Sequence, residues 1–374
     1  MTKQPITFNA AVVRDSGGPF VIERVSLGAL RHDEVLVRVV ATGMCHTDMV
    51  ARDQLYPVPQ PIVLGHEGAG VVEAVGEHVT KVAIGDHVVL TFLWCGRCRP
   101  CLEGMPAGCE NFNDVNFTGA RADGSHVLRD SSGAELNDRF FGQSSFGAYA
   151  VANERNAIKV RKDAPLDLLG PLGCGIQTGA GAVINALEVG AGASLAVFGT
   201  GAVGLSAILA AVAVGATTIV AVDVVPSRLK LARSLGATHA IDSRNEDPVA
   251  AIRAACGPGV DFALDSTGRA DVIRNAVDAL RPRGTCGIVG AAKPGVELAL
   301  DLNGFMQTGK RLRGIVEGDS MPDVFIPKLV DLHMSGRFPF DRLVEFYALD
   351  QINEAAEDSG KGGTVKPIIR LTTI

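Results

Sequence analysis

The sequence has no long run of basic residues, and its 41 acidic side chains outnumber its 35 lysines and arginines, which gives a formal net charge of −6. A chain without a basic stretch is a poor partner for nucleic acid. The opening residues, MTKQPITFNAAVV, contain no apolar core followed by a small-residue cleavage site, so secretion is not indicated. The last residues, IIRLTTI, match no recognised targeting signal. We therefore expect a cytoplasmic protein with no nucleic-acid partner.

Residues 195 to 222 contain no charged side chain, and a hydropathy window alone would read this stretch as a membrane span. Gly215 and the threonines that follow it divide the stretch into pieces too short to cross a bilayer. A buried parallel strand, a helix and a second strand would look equally apolar. We therefore expect a globular core and no membrane partner.

The same stretch carries a glycine pattern at the start of its helical part. A short apolar run over residues 195 to 198 is followed by Gly199, Gly201 and Gly204 in G-x-G-x-x-G spacing, and Asp223 ends the next strand 19 residues later. Two such glycines let the backbone turn and approach a pyrophosphate, and the third lets helix and strand pack closely. The helix N-terminus supplies unpaired N–H groups to the phosphates. The pattern predicts a dinucleotide site.

Asp223 also predicts which dinucleotide binds. A carboxylate accepts hydrogen bonds from a ribose 2′-OH but repels a 2′-phosphate. At ~4 Å and an effective dielectric of about 20, one such repulsion amounts to roughly 4 kcal/mol. NAD is therefore favoured over NADP.

The 374 residues suggest two domains, and 47% hydrophobic with 20% charged residues fits an α/β protein with little disorder. Residues 8 to 40 alternate apolar and polar positions in short runs, which is typical of antiparallel strands. Residues 176 to 318 follow a βα alternation, and residues 319 to 374 lose it. We predict an α/β fold: a mostly antiparallel β domain over 1–175 and 319–374, and a doubly wound parallel (Rossmann) cofactor domain over 176–318.

Eight cysteines in a chain expected in the cytosol indicate metal ligands or free thiols before disulfides. Cys95, Cys98, Cys101 and Cys109 follow C-x2-C-x2-C-x7-C spacing in a lobe over 95–109. Four thiolates this close can surround one zinc ion with no open position, which makes a structural site. An iron–sulfur cluster is the alternative, but the fourth cysteine is badly spaced for the bacterial pattern.

The remaining cysteines divide into two kinds. Cys256 lies in a polar loop and Cys286 in a predicted strand, where ordinary thiols are expected. Cys45 and Cys174 lie in glycine-flanked loops, and His66 falls between them in sequence. Two thiolates, one imidazole and an open fourth position would make a catalytic zinc site, although spacing alone leaves this close to an even choice.

Five motifs occur in the order GMCHTD, GHEGAGVVEAVG, the four-cysteine lobe, GPLGCGIQTGAG and GTGAVG. With them, essentially the whole chain resembles the zinc-dependent medium-chain alcohol dehydrogenases. The nearest branch acts on benzyl and related aryl alcohols, and the geraniol-type allylic alcohol dehydrogenases are nearly as similar. The resemblance implies a GroES-like first domain, two zinc ions per chain, and reversible hydride transfer between an alcohol and NAD.

The resemblance also implies roles for individual residues. The catalytic zinc would be held by Cys45, His66 and Cys174, with Glu67 behind the metal, Asp48 on the other nitrogen of His66, and Thr47 taking the substrate proton. For the cofactor, the resemblance implies that His46 and Lys366 contact the pyrophosphate and that Thr178 and Val203 lie beside the nicotinamide. Arg228 and Asp223 would bind the adenosine ribose, and Val289 would also contact the cofactor. One position departs from the pattern: many relatives carry a proton-relaying histidine where this chain has Val50, so the proton route is open.

The expected substrate is a small alcohol or aldehyde bound in an apolar pocket. Aromatic residues are frequent in the relevant segment, namely Phe92, Trp94, Phe112, Phe117, Phe140, Phe141 and Phe146, although most of them could simply fill core. Such a lining fits benzyl, cinnamyl and terpenoid alcohols alike. Glutathione-dependent formaldehyde oxidation and a non-catalytic NAD-binding protein are the alternatives. Exposed sheet edges favour self-association as a homodimer or homotetramer.

Overall fold

The computed structural model describes residues 6 to 372, which form strands joined by helices and short 3₁₀ turns. The strands are β1 (Ile6–Val13), β2 (Val21–Leu27), β3 (Glu34–Gly43), β4 (Ile62–Val63), β5 (Glu67–Val75), β6 (His87–Leu90), β7 (Leu128–Arg129), β8 (Glu135–Leu136), β9 (Tyr149–Asn153), β10 (Ala157–Val160), β11 (Ser194–Phe198), β12 (Thr218–Asp223), β13 (His239–Asp242), β14 (Val260–Asp265), β15 (Leu280–Ile288), β16 (Arg311–Gly314), β17 (Val344–Ala348) and β18 (Lys366–Arg370). The helices are α1 (His46–Arg52), α2 (Arg99–Leu102), α3 (Phe112–Asn116), α4 (Gly175–Gly181), α5 (Ala202–Ala213), α6 (Pro226–Ser234), α7 (Pro248–Cys256), α8 (Ala270–Asp278), α9 (Leu302–Thr308), α10 (Pro322–Met334) and α11 (Ile352–Gly360).

The chain divides into two compact units. The first ends at Cys174 and resumes over Met321–Met334 and from Asp341 onward. The second comprises Gly175–Ser320 and Ser335–Phe340. None of the helices within residues 6 to 372 combines the length and the apolar character needed to cross a membrane.

The first unit is organised around β3. One of its sheets has the order β4-β1-β2-β7-β8, and the other has the order β10-β6-β5-β3-β18-β17, with β9 also paired to β3. Nearly every residue of β3 is buried, and Val35, Val37 and Val39 pack in one apolar core with the neighbouring strands. These β-branched side chains suit a pleated, buried position.

The register of β3 brings together the loops that carry the predicted metal ligands. Gly43, its last residue, lies opposite Glu67 of β5 and opposite Ile368 of β18. The loop that follows Gly43 therefore lies beside the start of β5 and the start of β18. Three segments far apart in sequence meet at this end of the sheet.

The second unit is a six-stranded sheet with order β13-β12-β11-β14-β15-β16, and every pair in it is parallel. The order reverses between β11 and β14, where this type of sheet binds its ligand at the carboxyl ends of the strands. Ala196 and Phe198 of β11 and Val220 and Val222 of β12 are buried in the core. Their burial explains the charge-free stretch in the sequence. The predicted fold class, antiparallel β plus doubly wound parallel α/β, is confirmed.

Candidate metal centres and dinucleotide site

The four cysteines of the 95–109 lobe lie together, with their Sγ atoms all within 4.8 Å of one another. The backbone N–H of Cys95 donates to Cys109 Sγ (3.3 Å), and that of Cys98 donates to Cys95 Sγ (3.4 Å). Burial raises the pKa of Cys95, but the N–H groups of Arg97 and Cys98 lower it more strongly, to about 6. Burial raises the pKa of Cys101 to about 12 and also raises that of Cys109. Four closely spaced sulfur donors fit a closed structural zinc site, whose ion would favour their thiolate forms.

A second donor cluster is formed by Cys45, His66, Glu67 and Cys174, whose ligand atoms also lie within 4.8 Å of one another. Cys45 immediately precedes α1, His66 and Glu67 stand at the start of β5, and Cys174 follows the 3₁₀ turn Gly170–Gly173. All four belong to the first unit. The structure thus brings together the residues that the resemblance assigns to a catalytic zinc.

One ring nitrogen of His66 is hydrogen-bonded, and the other has no hydrogen-bond partner among the described residues. Its Nδ1 lies 2.8 Å from Asp48 Oδ1, and both side chains are fully buried. Its Nε2 is buried and has no hydrogen-bond partner among residues 6 to 372. An orphaned buried nitrogen is costly unless a ligand completes it. Because Nε2 lies among thiol sulfurs, a zinc ion held by two cysteines and one histidine fits this donor set.

Asp48 does more than orient this ring. Its Oδ2 accepts the backbone N–H of Cys45 (2.9 Å), and its Oδ1 also accepts that of Gly65 (3.1 Å). Burial lowers the pKa of His66, but the Asp48 carboxylate raises it more strongly, so the pKa stands well above its ordinary value. One buried carboxylate therefore fixes the loop of one ligand and the tautomer of another.

Glu67 forms a buried ion pair that the sequence did not reveal. The Lys366 ammonium donates to both oxygens of Glu67, at 2.8 Å each, and to the carbonyl of Met44 at 3.2 Å. Burial lowers the pKa of Lys366, but the Glu67 carboxylate raises it more strongly, so the ammonium stays charged. Lys366 is 1% exposed, so a contact with pyrophosphate would require its ammonium to leave Glu67.

The first turn of α1 carries the residues expected to handle the proton. Thr47 Oγ1 lies 3.7 Å from Cys45 Sγ, which places this hydroxyl beside one of the predicted zinc ligands. His46 is exposed on the same turn, and Val50 is half-buried one turn later. The Val50 side chain carries no group that can pass a proton.

An aromatic layer covers His66. The ring of Phe141 is stacked on the imidazole, with centroids 4.5 Å apart and an angle of 28°, and Phe140 meets it edge-on at 5.4 Å. Phe141 has left-handed backbone (φ 51°, ψ 33°), a conformation that costs roughly 1–2 kcal/mol for a residue with a Cβ. Phe112 and Phe117 pack edge-on against Phe141, at centroid distances of 6.3 and 5.2 Å.

The other aromatic residues predicted for the pocket make no ring contact with His66 in the described part of the chain. Phe92 is fully buried against Trp94 and Phe112, so it joins the aromatic cluster of Phe141 through Phe112. Phe146 packs on Phe20 with centroids 5.5 Å apart and fills core. Only Phe140 and Phe141 of the predicted set touch a ligand residue through a ring contact in the described part of the chain.

The glycine loop of the second unit has the form that a pyrophosphate requires. Gly199 adopts φ 87°, and a Cβ on Gly204 would lie 1.9 Å from the carbonyl oxygen of Gly199. A Cβ on Gly201 would meet nothing within 4 Å, so the space in front of this residue is open. Gly201 immediately precedes α5, whose first N–H groups need partners. The residues present fit a dinucleotide.

Asp223 ends β12 and is almost fully buried. Its Oδ2 accepts the N–H of Thr200 (2.6 Å) and the Thr200 hydroxyl (2.7 Å). Its Oδ1 accepts the N–H groups of Val224 (2.7 Å) and Val225 (2.9 Å). The carboxylate thus anchors the glycine loop, a role that the sequence pattern did not reveal. Arg228 lies in the first turn of α6, and its buried Nε has no partner among residues 6 to 372.

The residues expected near the nicotinamide are half-buried in the second unit. Thr178 lies on α4, Val203 on the first turn of α5, and Val289 directly after β15. A Cβ on Gly179 would lie 2.0 Å from the carbonyl oxygen of Val203. This close crossing of α4 and α5 places Thr178 and Val203 near each other.

Comparison with known proteins agrees with this geometry. The alcohol dehydrogenase GroES-like domain matches residues 31–162, and the zinc-binding dehydrogenase domain matches residues 202–332. The chain is 51% identical over 370 residues to geraniol dehydrogenase of Castellaniella defragrans, covering 98% of this chain and 99% of the relative. It is 52% identical to the crystal structure of benzyl alcohol dehydrogenase from Acinetobacter calcoaceticus, with a TM-score of 0.95 over 98% of this chain and 100% of the other.

A crystal structure of an alcohol dehydrogenase zinc-binding domain protein from Burkholderia ambifaria is 61% identical, with a TM-score of 0.98 over 99% of this chain and 100% of the other. The two matching domains and these full-length relatives define a class. The chain belongs to the zinc-dependent medium-chain alcohol dehydrogenase family.

Proposed function

We propose that the protein oxidises aromatic or allylic primary alcohols to aldehydes with NAD, and catalyses the reverse reaction. The observation that carries this proposal is the His66 imidazole, whose Nε2 is buried and unpartnered among the sulfurs of Cys45 and Cys174 while Asp48 holds Nδ1. A site with two thiolates, one imidazole and room for a fourth ligand is the arrangement of a catalytic zinc. A second, closed cluster of four cysteines would hold a structural zinc.

Cys45, His66 and Cys174 would hold the catalytic zinc, which supplies Lewis acidity that lowers the pKa of an alcohol hydroxyl. Thr47 Oγ1, beside Cys45, accepts the substrate proton as it gives up its own hydroxyl proton toward solvent. Asp48 keeps His66 in the tautomer whose Nε2 is free to bind metal. Glu67 and Lys366 neutralise each other behind the ligands, so the net charge near the metal is set by the two thiolates.

The hydride acceptor is proposed to be NAD. The glycine loop offers open space in front of Gly201, and Asp223 ends the second strand of the fold. A carboxylate there disfavours a 2′-phosphate. Thr178 and Val203 are proposed to lie beside the nicotinamide, Val289 near the cofactor, Arg228 at the ribose, and His46 at the pyrophosphate.

The alcohol class is inferred from the aromatic layer and the relatives. Phe141 and Phe140 present rings at His66, which favours a planar, polarisable substrate. Two relatives of this length and identity are named for benzyl alcohol and geraniol. A terpenoid alcohol is therefore the second candidate. Glutathione-dependent formaldehyde oxidation and a non-catalytic NAD-binding role are weaker alternatives, because no feature of the described residues favours either.

The proposal is tested by initial rates of NADH formation with benzyl alcohol, geraniol and ethanol, compared as kcat/KM. We expect both bulky alcohols to exceed ethanol by at least about tenfold, the size of one well-buried apolar contact. Phe141→Leu should reduce the preference for benzyl alcohol, whereas Phe8→Leu, a change of the same kind at a buried ring that packs on Tyr149, should leave the order of substrates unchanged. Faster ethanol turnover would contradict the substrate class, and no turnover on any alcohol would support the binding-protein alternative.

We also propose that the protein forms a homodimer or a homotetramer. Strand β16 is the edge of the parallel sheet, and all four of its residues are exposed. The adjoining helix α9 exposes two large apolar side chains, Leu302 at 78% and Met306 at 67%. An open sheet edge beside apolar surface fits a second copy of the same edge.

A further inference from the structure

Gln143 is a buried amide in the segment between β8 and β9, and its side chain makes three hydrogen bonds. It is 1% exposed. Its Nε2 donates to the carbonyl oxygens of His66 (2.9 Å) and Thr91 (3.1 Å), and its Oε1 accepts the backbone N–H of Gly68 (3.1 Å). An amide both donates and accepts, whereas a carboxylate lacks the donors and an ammonium lacks the acceptor. The three partners therefore require an amide at this position.

The backbone on both sides of Gln143 is fixed in a conformation that residues with a Cβ rarely adopt. Phe141 and Ser144 each have left-handed backbone with φ 51°. Such conformations persist where surrounding contacts impose them. One of these contacts is the Ser144 hydroxyl, which donates to the carbonyl of Val63 on β4 (2.6 Å). The direction in which the Gln143 side chain leaves the backbone is therefore fixed as well.

Thr91 extends the connection from Gln143 to a second predicted zinc ligand. It is fully buried directly after β6, and its hydroxyl donates to the carbonyl of Gly173 (2.6 Å), the residue before Cys174. The carbonyl of Thr91 is thus bonded to the Gln143 amide, and its hydroxyl is bonded to the turn that ends at Cys174. Three hydrogen bonds in a row join the backbone of His66 to the backbone beside Cys174.

We propose that Gln143 is a positioning residue for the zinc site: with Thr91 it forms a bridge of hydrogen bonds that sets the separation of the loops carrying His66 and Cys174. This inference rests on the proposed zinc-dependent function. Zinc bonds to nitrogen and sulfur have narrow preferred lengths, about 2.0 to 2.3 Å, so a small displacement of one ligand weakens binding. Asp48 orients the imidazole ring, whereas the bridge acts on the backbone of the same residue. The two constraints are therefore separate.

The test measures how strongly each zinc ion is retained when the full chain is dialysed to equilibrium against increasing EDTA, with zinc counted by atomic absorption. Cys174→Ser, which should hold only the ion of the four-cysteine lobe, identifies the transition that belongs to the lobe. Gln143→Met keeps the length of the side chain and removes its three hydrogen bonds. We expect the catalytic-site ion of this variant to be lost at an EDTA concentration about ten- to hundredfold lower. The lobe ion should be retained as in the unmodified protein.

Thr91→Val removes the hydroxyl at the other end of the bridge and should shift the same transition in the same direction. Because both changes break one bridge, the double variant should lose its ion within about twofold of the EDTA concentration found for the weaker-binding single variant.

Asn116→Leu is the matched control. This fully buried amide also makes three hydrogen bonds, but its partners are backbone groups of Leu93 and Phe112, neither of which adjoins a ligand of the catalytic site. The variant should leave the transition of the catalytic-site ion unchanged.

An unchanged transition in folded Gln143→Met would overturn the proposal, and Thr91→Val takes its place in this comparison if Gln143→Met does not fold. Additive effects of the two substitutions would overturn it too, because they would show two independent contacts. So would equal weakening of both zinc ions, which would show a general loss of structure. If the unmodified protein retained only the lobe ion, the proposed function itself would fail.

Discussion

At the scale of single residues, Asp223 has an observed structural role in the glycine loop and a proposed role in cofactor selectivity. Its four hydrogen bonds anchor Thr200 of the glycine loop and the start of the segment after β12. The proposed second duty is to exclude the 2′-phosphate of NADP. A substitution at this position therefore changes both the loop and the selectivity, and a test has to distinguish them.

We predict that Asp223→Gly shifts the NADP to NAD ratio of kcat/KM toward NADP by about one to two decades, because a repulsion of roughly 2 kcal/mol or more is removed. Both absolute values should also fall as the loop loses its anchor. Thr200→Val removes one of the four hydrogen bonds, the one from the hydroxyl, and keeps the carboxylate, so it should weaken the binding of both cofactors slightly and leave their ratio unchanged. Steady-state kinetics with both cofactors checks this. A ratio that stayed constant in Asp223→Gly would rule out the ribose role.

The sequence allowed prediction of those side-chain clusters whose residues lie in short motifs. The cysteines and His66 that meet in the two clusters were named from spacing and resemblance. The Glu67–Lys366 pair joins residues 299 positions apart, and the sequence suggested an outward role for Lys366. The left-handed backbone of Phe141 and Glu317 was equally hidden, because tertiary contacts impose it against the local preference of both residue types.

At the scale of elements, the four-cysteine lobe over 95–109 has little apolar packing of its own. Leu102 is 75% exposed and Met105 is 54% exposed, and the lobe contains only α2 and one 3₁₀ turn. The four cysteine sulfurs, which come from both ends of the lobe, lie within 4.8 Å of one another. A bound ion would therefore supply much of the free energy that orders this segment.

We predict that Cys98→Ser lowers the free energy of unfolding by on the order of 3 kcal/mol, because an incomplete ligand set binds zinc weakly. Turnover should remain within a few-fold of the unmodified protein. Cys256→Ser changes a half-buried cysteine outside both clusters and should do neither. Urea unfolding with parallel zinc analysis makes the comparison. Full stability and an unchanged zinc content in Cys98→Ser would contradict a structural zinc in the lobe.

The elements themselves were predictable to different degrees. Alternation over residues 8 to 40 and βα rhythm over 176 to 318 identified antiparallel and parallel sheets correctly. The strand order β13-β12-β11-β14-β15-β16 could not be derived from periodicity, since any order buries the same apolar runs. Nor could the pairing of β18 with β3, which joins the end of the described chain to its beginning.

At the scale of the whole molecule, the exposed edge of β16 makes self-association testable. We predict a mass in solution of at least twice 39.0 kDa by light scattering after size-exclusion chromatography. Leu312 lies on β16 and is 37% exposed, so Leu312→Lys should shift the protein toward monomer by burying a charge in the interface. Ile84→Lys alters an apolar residue that is 68% exposed in the first unit and should leave the mass unchanged. A monomeric unmodified protein would contradict the proposal.

The central claim is that Cys45, His66 and Cys174 hold a catalytic zinc distinct from the structural one. The most direct measurement is the zinc content per chain of the unmodified protein and of Cys174→Ser, with alcohol turnover measured on the same samples. The account predicts two zinc ions in the unmodified protein, one in Cys174→Ser, and a loss of turnover of at least about a thousandfold in a chain that remains folded. Two zinc ions and normal turnover in Cys174→Ser would contradict it.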